Sequence, residues 1–351
     1  MAAEADAHGD PAPVLAHWGL TGAVATRIGS GLINETFLVQ GAHGGRWILQ
    51  RVHTIFSPAV HDDIDAATRH LESRGLTTPR LVPSGTGALY VTAGGRLWRL
   101  LTYVPGVTHD RLRERVQARE AGRLLARFHG ALADFDRPFA NPRLGVHDTP
   151  RHLATLREAV DRHRRHPRID RIAPLAEEIG ALAERLEPLP RLPDRVVHGD
   201  PKISNFVFDE ASGRAVCLID LDTLTRMPLP LELGDALRSW CNPRGEDVAD
   251  ARFDLDLFEA AVAGYAGEAC AIAAPEWRCL VAATETILVE LAARFCADAL
   301  NERYFGWDRD RFASRAEHNE LRARGQLACA RSLMRQRERA QALIARAFGG
   351  G

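Results

Sequence analysis

RVVHGDPKISNFVFDEASGRAVCLIDLDTL, residues 195–224, is the stretch on which the reading of this chain turns. Val196 and Val197 form a short apolar lead into His198, Gly199 and Asp200. Lys202 and Asn205 follow, and then the apolar run Phe206, Val207 and Phe208. Residues 209–213 are rich in turn formers, and a second apolar run, Ala215 to Ile219, ends at Asp220. Two such runs around a Gly-containing turn predict a β-hairpin. A hairpin makes neighbours of the residues before its first strand and after its second. Asp200, Asn205 and Asp220 are therefore expected at one edge.

That grouping has a chemical use. Mg²⁺ takes oxygen ligands and keeps several waters, so one carboxylate and one amide suffice when phosphates supply the rest. Asn205 and Asp220 are the expected metal ligands. A carboxylate beside the metal can accept the proton of an attacking hydroxyl, and Asp200 is the expected base. Lys202, two residues on, could neutralise charge on the phosphoryl group in flight.

The pattern H-G-D-x-x-x-x-N, followed by an apolar strand ending in I-D, resembles the catalytic and metal loops of the aminoglycoside phosphotransferase and choline kinase group, relatives of the protein kinases. The kinase spacing is kept, with Gly199 where protein kinases have Arg. Asp220-Leu221-Asp222 stands in place of D-F-G, which argues against a protein substrate. The resemblance implies an α+β, bilobal, protein-kinase-like fold with a small β-rich N-terminal lobe carrying one helix and a larger, mainly helical C-terminal lobe. It also implies ATP and Mg²⁺.

The rest of the chain bounds this reading. At 351 residues it is long enough for two domains or one bilobal enzyme. Hydrophobic content of 46% and charged content of 26% are ordinary globular values. A formal charge of −1 gives no reason to expect nucleic acid or an anionic membrane as partner. Six cysteines without C-x-x-C pairs, several within apolar runs, suit buried thiols in a reducing compartment. Residues 1–13 lack the basic start and apolar core of a signal peptide. No 18-residue apolar run exists, so a cytoplasmic location is expected.

Taken in order, residues 24–28 and 36–39 read as strands flanking Gly29-Ser30-Gly31-Leu32-Ile33-Asn34. A Rossmann fingerprint would need a helix after the Gly turn. Strands on both sides suit a Gly-rich hairpin over nucleotide phosphates, with Gly29, Ser30 and Gly31 as candidates. Residues 46–52 form the third strand. Kinases carry a phosphate-holding Lys there, and Arg51 is the nearest cation. Residues 58–73 form a helix from which Asp65 or Glu72 could meet Arg51. Strands over 89–92 and 96–103 lead to a hinge. The resemblance implies that its backbone from about Thr102 to Val104 meets the adenine edge. The lobe boundary falls at Pro105, dividing the chain into 1–104 and 105–351.

From Arg113 the period becomes helical. Ala121, Leu124, Leu125, Phe128 and Leu132 share one face, with His129 beside it as a structural histidine. Further helices fit 152–163 and 172–186. After Asp220 a helix is expected from Gly234 or Asp235, and Asp235 either ties down the catalytic loop or caps that helix. Residues 253–265, 275–300 and 313–347 are long helical patterns. The last alternates Arg, Glu and Gln with Leu and Ala and reads as a solvated amphipathic helix.

Several further stretches are similar to the N-acetylhexosamine 1-kinase branch: GSGLINETFLV, WILQRV, LIDLDTL, GDALR and RFCADALNERYF. The likeness spans most of residues 24–335. It implies transfer of the ATP γ-phosphoryl to the anomeric hydroxyl of a free amino sugar, with Arg294 and Tyr304 lining the sugar pocket. The alternatives are a kinase of another small hydroxyl compound (choline, homoserine, methylthioribose or an aminoglycoside) and a catalytically dead kinase-like binding protein. The retained Asp200, Asn205 and Asp220 weigh against the dead protein. The abundant Arg of the helical lobe is a poor fit to polycationic aminoglycosides. A glycosidase would use paired acids without this Asn and Gly loop.

Overall fold

The structure, a computed structural model, describes residues 11–29, 34–142, 145–268 and 272–349. Of the Gly-rich loop, Ser30 and Gly31 lie outside the described residues.

Helix α1 (Ala12–Leu15) runs into a single 3₁₀ turn and then the sheet begins. Its strands are β1 (Val24–Ile28), β2 (Glu35–Gln40) and β3 (Arg46–Val52), followed by helix α2 (Val60–Ser73) and strands β4 (Leu81–Val82), β5 (Val91–Ala93) and β6 (Arg96–Thr102). All pairings are antiparallel, in the order β1-β2-β3-β6-β4, with β5 on β6. Strand alternation sorts the side chains onto two faces. Phe37, Val39, Leu49, Trp98 and Leu100 face outward and pack under α1 with Val14 and Leu15. Ile48, Val52, Leu97 and Leu101 face inward, toward α2 and the helical half of the chain.

The helical half comprises α3 (Arg115–Ala131), α4 (Thr149–Arg162) and α5 (Ile169–Ala183), then four short strands, β7 (Asp194–Val197), β8 (Phe206–Phe208), β9 (Ala215–Leu218) and β10 (Thr225–Pro228). Helices α6 (Leu229–Trp240), α7 (Leu255–Ala266), α8 (Ala274–Arg278), α9 (Leu280–Asn301), α10 (Arg315–Met334) and α11 (Arg337–Phe348) complete it. Helix α9 is its axis: nearly every residue from Leu280 to Leu300 is buried, and α4, α5, α6 and α10 pack around it. The apolar core here is continuous with the inner face of the sheet through Val60, Ile64, Ala67 and Leu71 of α2.

Two expectations need correction. The pattern over 313–347 is not one solvated helix. It breaks at Arg335 and Gln336, and most of α10 is buried. Its charges are tolerated inside because each finds a partner on another element. Glu320 is held by Arg168 at 2.7 Å and Arg171 at 2.8 Å, and Arg322 and His318 close on Asp247 at 2.8 and 2.7 Å. The pattern over 275–300 likewise divides, at Cys279, into α8 and α9.

Among the described residues no helix is long and apolar enough to cross a membrane. The five described cysteines are unpaired, and all but Cys279 are buried. Burial pushes the thiols of Cys217 and Cys296 up to about 12.

Candidate active site

The expected hairpin is present. Strands β8 and β9 pair with Phe206 opposite Leu218, and the Ile219 N–H donates to the Asn205 carbonyl at 2.9 Å. A second ribbon, β7 with β10, sets Val197 opposite Thr225. The segments 198–205 and 219–224 are thus delivered side by side from two ribbons. Val107, just past Pro105, exchanges backbone bonds with Phe208 at 2.8 and 2.9 Å, so the expected hinge is tied to the same hairpin.

Three predicted site residues meet in direct contact. Lys202 Nζ donates to Asp200 Oδ2 at 2.6 Å. Asn205 Nδ2 donates to the Asp200 carbonyl at 2.8 Å and reaches Oδ2 at 3.4 Å. Burial works to raise the Asp200 carboxyl, but the Lys202 ammonium outweighs it and holds the group below the usual carboxylate range. The Asp200 side chain remains 25% exposed, open to an incoming hydroxyl. Lys202 is the only lysine in a chain of many arginines. An ammonium is a compact point charge on a flexible stem, where a guanidinium is a broad planar fork.

Asp220 joins them from the end of β9. Its backbone is left-handed, at φ 64° and ψ 56°. A non-glycine residue held there costs on the order of 1–3 kcal/mol and persists only where its surroundings over-determine it. Burial and the neighbouring Asp222 carboxylate raise the Asp220 carboxyl, and the Lys202 and Asp200 charges bear on it as well. A buried carboxyl raised by other carboxylates is a position that a divalent cation would relieve. The donors are all hard oxygens, which fits Mg²⁺. Among the described residues no group of three or more His, Cys, Asp or Glu could hold a metal alone, so phosphate oxygens would have to complete the shell.

The loop is held from behind by a residue the sequence reading missed. Both oxygens of the Glu232 carboxylate, fully buried on α6, accept backbone bonds: from His198 N–H at 2.9 Å and Gly199 N–H at 3.0 Å. This was the task expected of Asp235. Helix α6 starts at Leu229, ahead of the expected Gly234 or Asp235, so Asp235 lies inside it and pairs with Arg238 at 2.8 Å. It neither ties the loop nor caps the helix. His198 Nε2 sits 2.9 Å from the Ile219 carbonyl, and the Thr223 hydroxyl donates to the His198 carbonyl at 2.9 Å. Gly199 explains its own identity: its φ is +82°, and a Cβ there would stand 2.1 Å from the Thr223 carbonyl oxygen.

A second missed group joins the sheet to this loop. Arg99, 2% exposed on the inner face of β6, binds both oxygens of Asp222 at 2.6 Å. Gln50 Oε1 accepts from the same guanidinium at 2.7 and 2.9 Å, and Asn34 Nδ2 donates to Asp222 at 2.8 Å. Burial opposes the Asp222 charge, but Arg99 outweighs it and holds the carboxyl below its usual range. Arg51 is placed otherwise than expected. It alternates with Gln50 onto the outer face, pairs with Glu35 and lies over the Trp98 ring. Asp65 and Glu72 do not meet it; both pair with Arg80. Among the described residues, the sheet cation that meets the 220–224 segment is Arg99.

Helix α2 contributes differently too. Asp63 accepts the backbone N–H groups of Ala140 and Asn141, each at 2.8 Å, across to the helical half. At the expected hinge, the Thr102 N–H already bonds the Arg80 carbonyl at 2.9 Å. His129 is buried with Nδ1 at 2.8 Å from the Tyr265 hydroxyl, the structural role expected of it. Arg294 and Tyr304 do come together. They line one cavity of about 420 Å³ between α4 and α9, with Arg151, His152 and Asn301, and Arg294 lies 5.9 Å from the Tyr304 ring centre.

With this geometry in view, comparison with known proteins is direct. Residues 24–269 match the model of the phosphotransferase enzyme family, APH, and the chain belongs to that family. It is a phosphotransferase with an alcohol acceptor. A homoserine kinase of Xanthobacter autotrophicus is 32% identical over 244 residues, 66% of this chain and 70% of that protein. An aminoglycoside phosphotransferase of Alicyclobacillus acidocaldarius shares the fold with a TM-score of 0.62 at 21% identity, covering 96% of this chain and 99% of that one. An amicoumacin kinase in complex with AMP-PNP, Ca²⁺ and Ami gives a TM-score of 0.59 at 14% identity, covering 87% of each. The fold is thus the protein-kinase-like α+β arrangement. The curated relatives of this kind are homoserine kinases, and the expected membership of the N-acetylhexosamine branch, with its place in carbohydrate metabolism, gains no support from them.

Proposed function

We propose that this chain transfers the γ-phosphoryl of ATP to the hydroxyl of a small amino-acid-like acceptor of the homoserine type. The observation that carries the chemistry is the contact of Asp200 with Lys202 and Asn205 at the edge where Asp220 arrives. Asp200 accepts the hydroxyl proton as the acceptor oxygen bonds to the γ-phosphorus. The bond from that phosphorus to the β,γ-bridging oxygen breaks, and ADP leaves. Asn205 and Asp220 would hold Mg²⁺, which supplies charge neutralisation across the phosphates. Lys202 keeps Asp200 ionised and offers a cation to the transferring group.

Residues 1–104 act as the nucleotide lobe and 105–351 as the acceptor lobe. Gly29, with Ser30 and Gly31, would cover the phosphates, and Val104, two residues after Thr102, would offer its backbone to adenine. Arg51, on the outer face, takes no phosphate role, and Arg99, fully engaged with Asp222 and Gln50, keeps the sheet in register with the metal loop. The acceptor end falls to the cavity of Arg294 and Tyr304. Its two guanidiniums, Arg151 and Arg294, suit a carboxylate, which homoserine carries and a neutral N-acetylhexosamine lacks. Unpaired cysteines suit a reducing compartment.

A panel of homoserine, choline, aminopropanol and N-acetylhexosamines with ATP and Mg²⁺, scored by ADP release, tests the acceptor. Homoserine is expected to give the largest signal. Arg294→Ala should raise the KM for the acceptor and leave the KM for ATP unchanged. A largest signal from an N-acetylhexosamine would return the acceptor to the sugar class.

A further inference from the structure

A second cavity, of about 140 Å³, lies at the turn end of the catalytic hairpin, away from the end that carries Asn205 and Asp220. Three elements meet around it. Gly75 and Thr77 come from the segment after α2, Glu120, Arg123 and Arg127 from one face of α3, and Arg214 from the mouth of β9. The lining holds three guanidiniums against one carboxylate. Arg123 is already engaged, with Glu268 at 2.6 Å and Glu120 at 3.5 Å. Arg127 and Arg214 make no ion pair among the described residues, and the Arg214 Nε has only a 3.4 Å bond to the Ser212 hydroxyl. Two guanidiniums without an ion pair thus line one concave space, and a guanidinium binds planar and tetrahedral oxyanions through paired N–H donors.

We propose that this cavity binds a small phosphoryl-bearing anion, held by Arg127 and Arg214. The volume suits a phosphoryl group with a short substituent. An occupant would bridge the C-terminal end of α2 to the hairpin, and so link the sheet's helix to the strands that carry the metal loop. The same chemistry is offered by free inorganic phosphate and by a phosphate monoester.

The test is calorimetric titration of the full chain with its nucleotide site saturated by AMP-PNP and Mg²⁺. Inorganic phosphate forms one arm and O-phosphoserine, a phosphate monoester, the other. One anion per chain is expected to bind. Affinity should fall about tenfold or more in Arg127→Ser/Arg214→Ser. It should be unchanged in a control pair, Arg162→Ser/Arg164→Ser, at exposed positions at and just past the end of α4. Both variants lose only exposed side chains and are expected to melt with the wild type, which thermal unfolding checks. Whichever arm binds more tightly names the source. Absence of binding in both arms would overturn the site, as would equal affinities in wild type and the Arg127/Arg214 variant, or equal losses in both pairs.

Discussion

At the scale of single residues, the loop is specified by contacts that admit few substitutes. Gly199 combines a positive φ with a carbonyl at its back. Gly199→Ala must therefore move the Thr223 segment, and with it the approach to Asp220. Its expected cost is about 1–3 kcal/mol in denaturant unfolding, with a fall in turnover larger than stability alone explains. Lys202→Arg keeps the charge and loses the compact ammonium. It is expected to lower kcat while the fold and nucleotide affinity are retained, and steady-state kinetics with nucleotide titration check this. A Lys202→Arg enzyme with wild-type kcat would remove the distinction drawn here between the two cations.

At the scale of elements, the decisive links run from the loop to β6 and α6. Arg99 and Asp222 form a buried pair with two bonds at 2.6 Å. Removing one partner leaves a buried charge, so Arg99→Met should destabilise by roughly 3–5 kcal/mol, whereas Arg99→Met with Asp222→Leu should recover much of that. A chemical-denaturation double-mutant cycle reads the difference. Glu232→Gln leaves a single acceptor oxygen for two backbone donors, and its expected cost is about 1.5–3 kcal/mol.

These links also mark where the sequence stopped being legible. The hairpin and the cluster of Asp200, Asn205 and Asp220 could be read because turn chemistry, apolar runs and spacing are all local. Glu232 lies 34 residues from the amide it holds, and Arg99 lies 123 from Asp222. Their one local trace is a charge inside an apolar run, Glu232 in LPLEL and Arg99 in RLWRLL. Arg51 misled because position in a strand does not by itself say which face a side chain takes. Helix α10 misled for a related reason: its arginines and acids look solvated until their partners on α5 and in the 242–250 loop are known.

At the scale of the whole molecule, the sheet and the helical half share one core through α2, and that junction is expected to be acid-sensitive. His61 of α2 is 1% exposed against Tyr90, with ring centres 4.6 Å apart. Burial, reinforced by the Arg99 guanidinium, lowers its pKa to about 4. The folded state therefore holds His61 neutral while the unfolded chain takes up the proton at its ordinary value near 6.5. The stability this group supports is fully present above pH 6.5 and is lost as pH falls toward 4, on the order of 3 kcal/mol at the limit. His61→Phe should flatten the pH dependence of unfolding across that window. A wild-type slope in the variant would assign the sensitivity to other groups.

The most direct measurement is ADP release from ATP, Mg²⁺ and homoserine, compared between the wild type and Asp200→Asn at matched nucleotide occupancy. Asparagine keeps the shape of the site and cannot take the hydroxyl proton. The expected result is acceptor-dependent turnover that falls roughly 10²–10⁴-fold in Asp200→Asn, with ATP still bound. Turnover that survives the substitution unchanged would contradict Asp200 as the base on which this account rests.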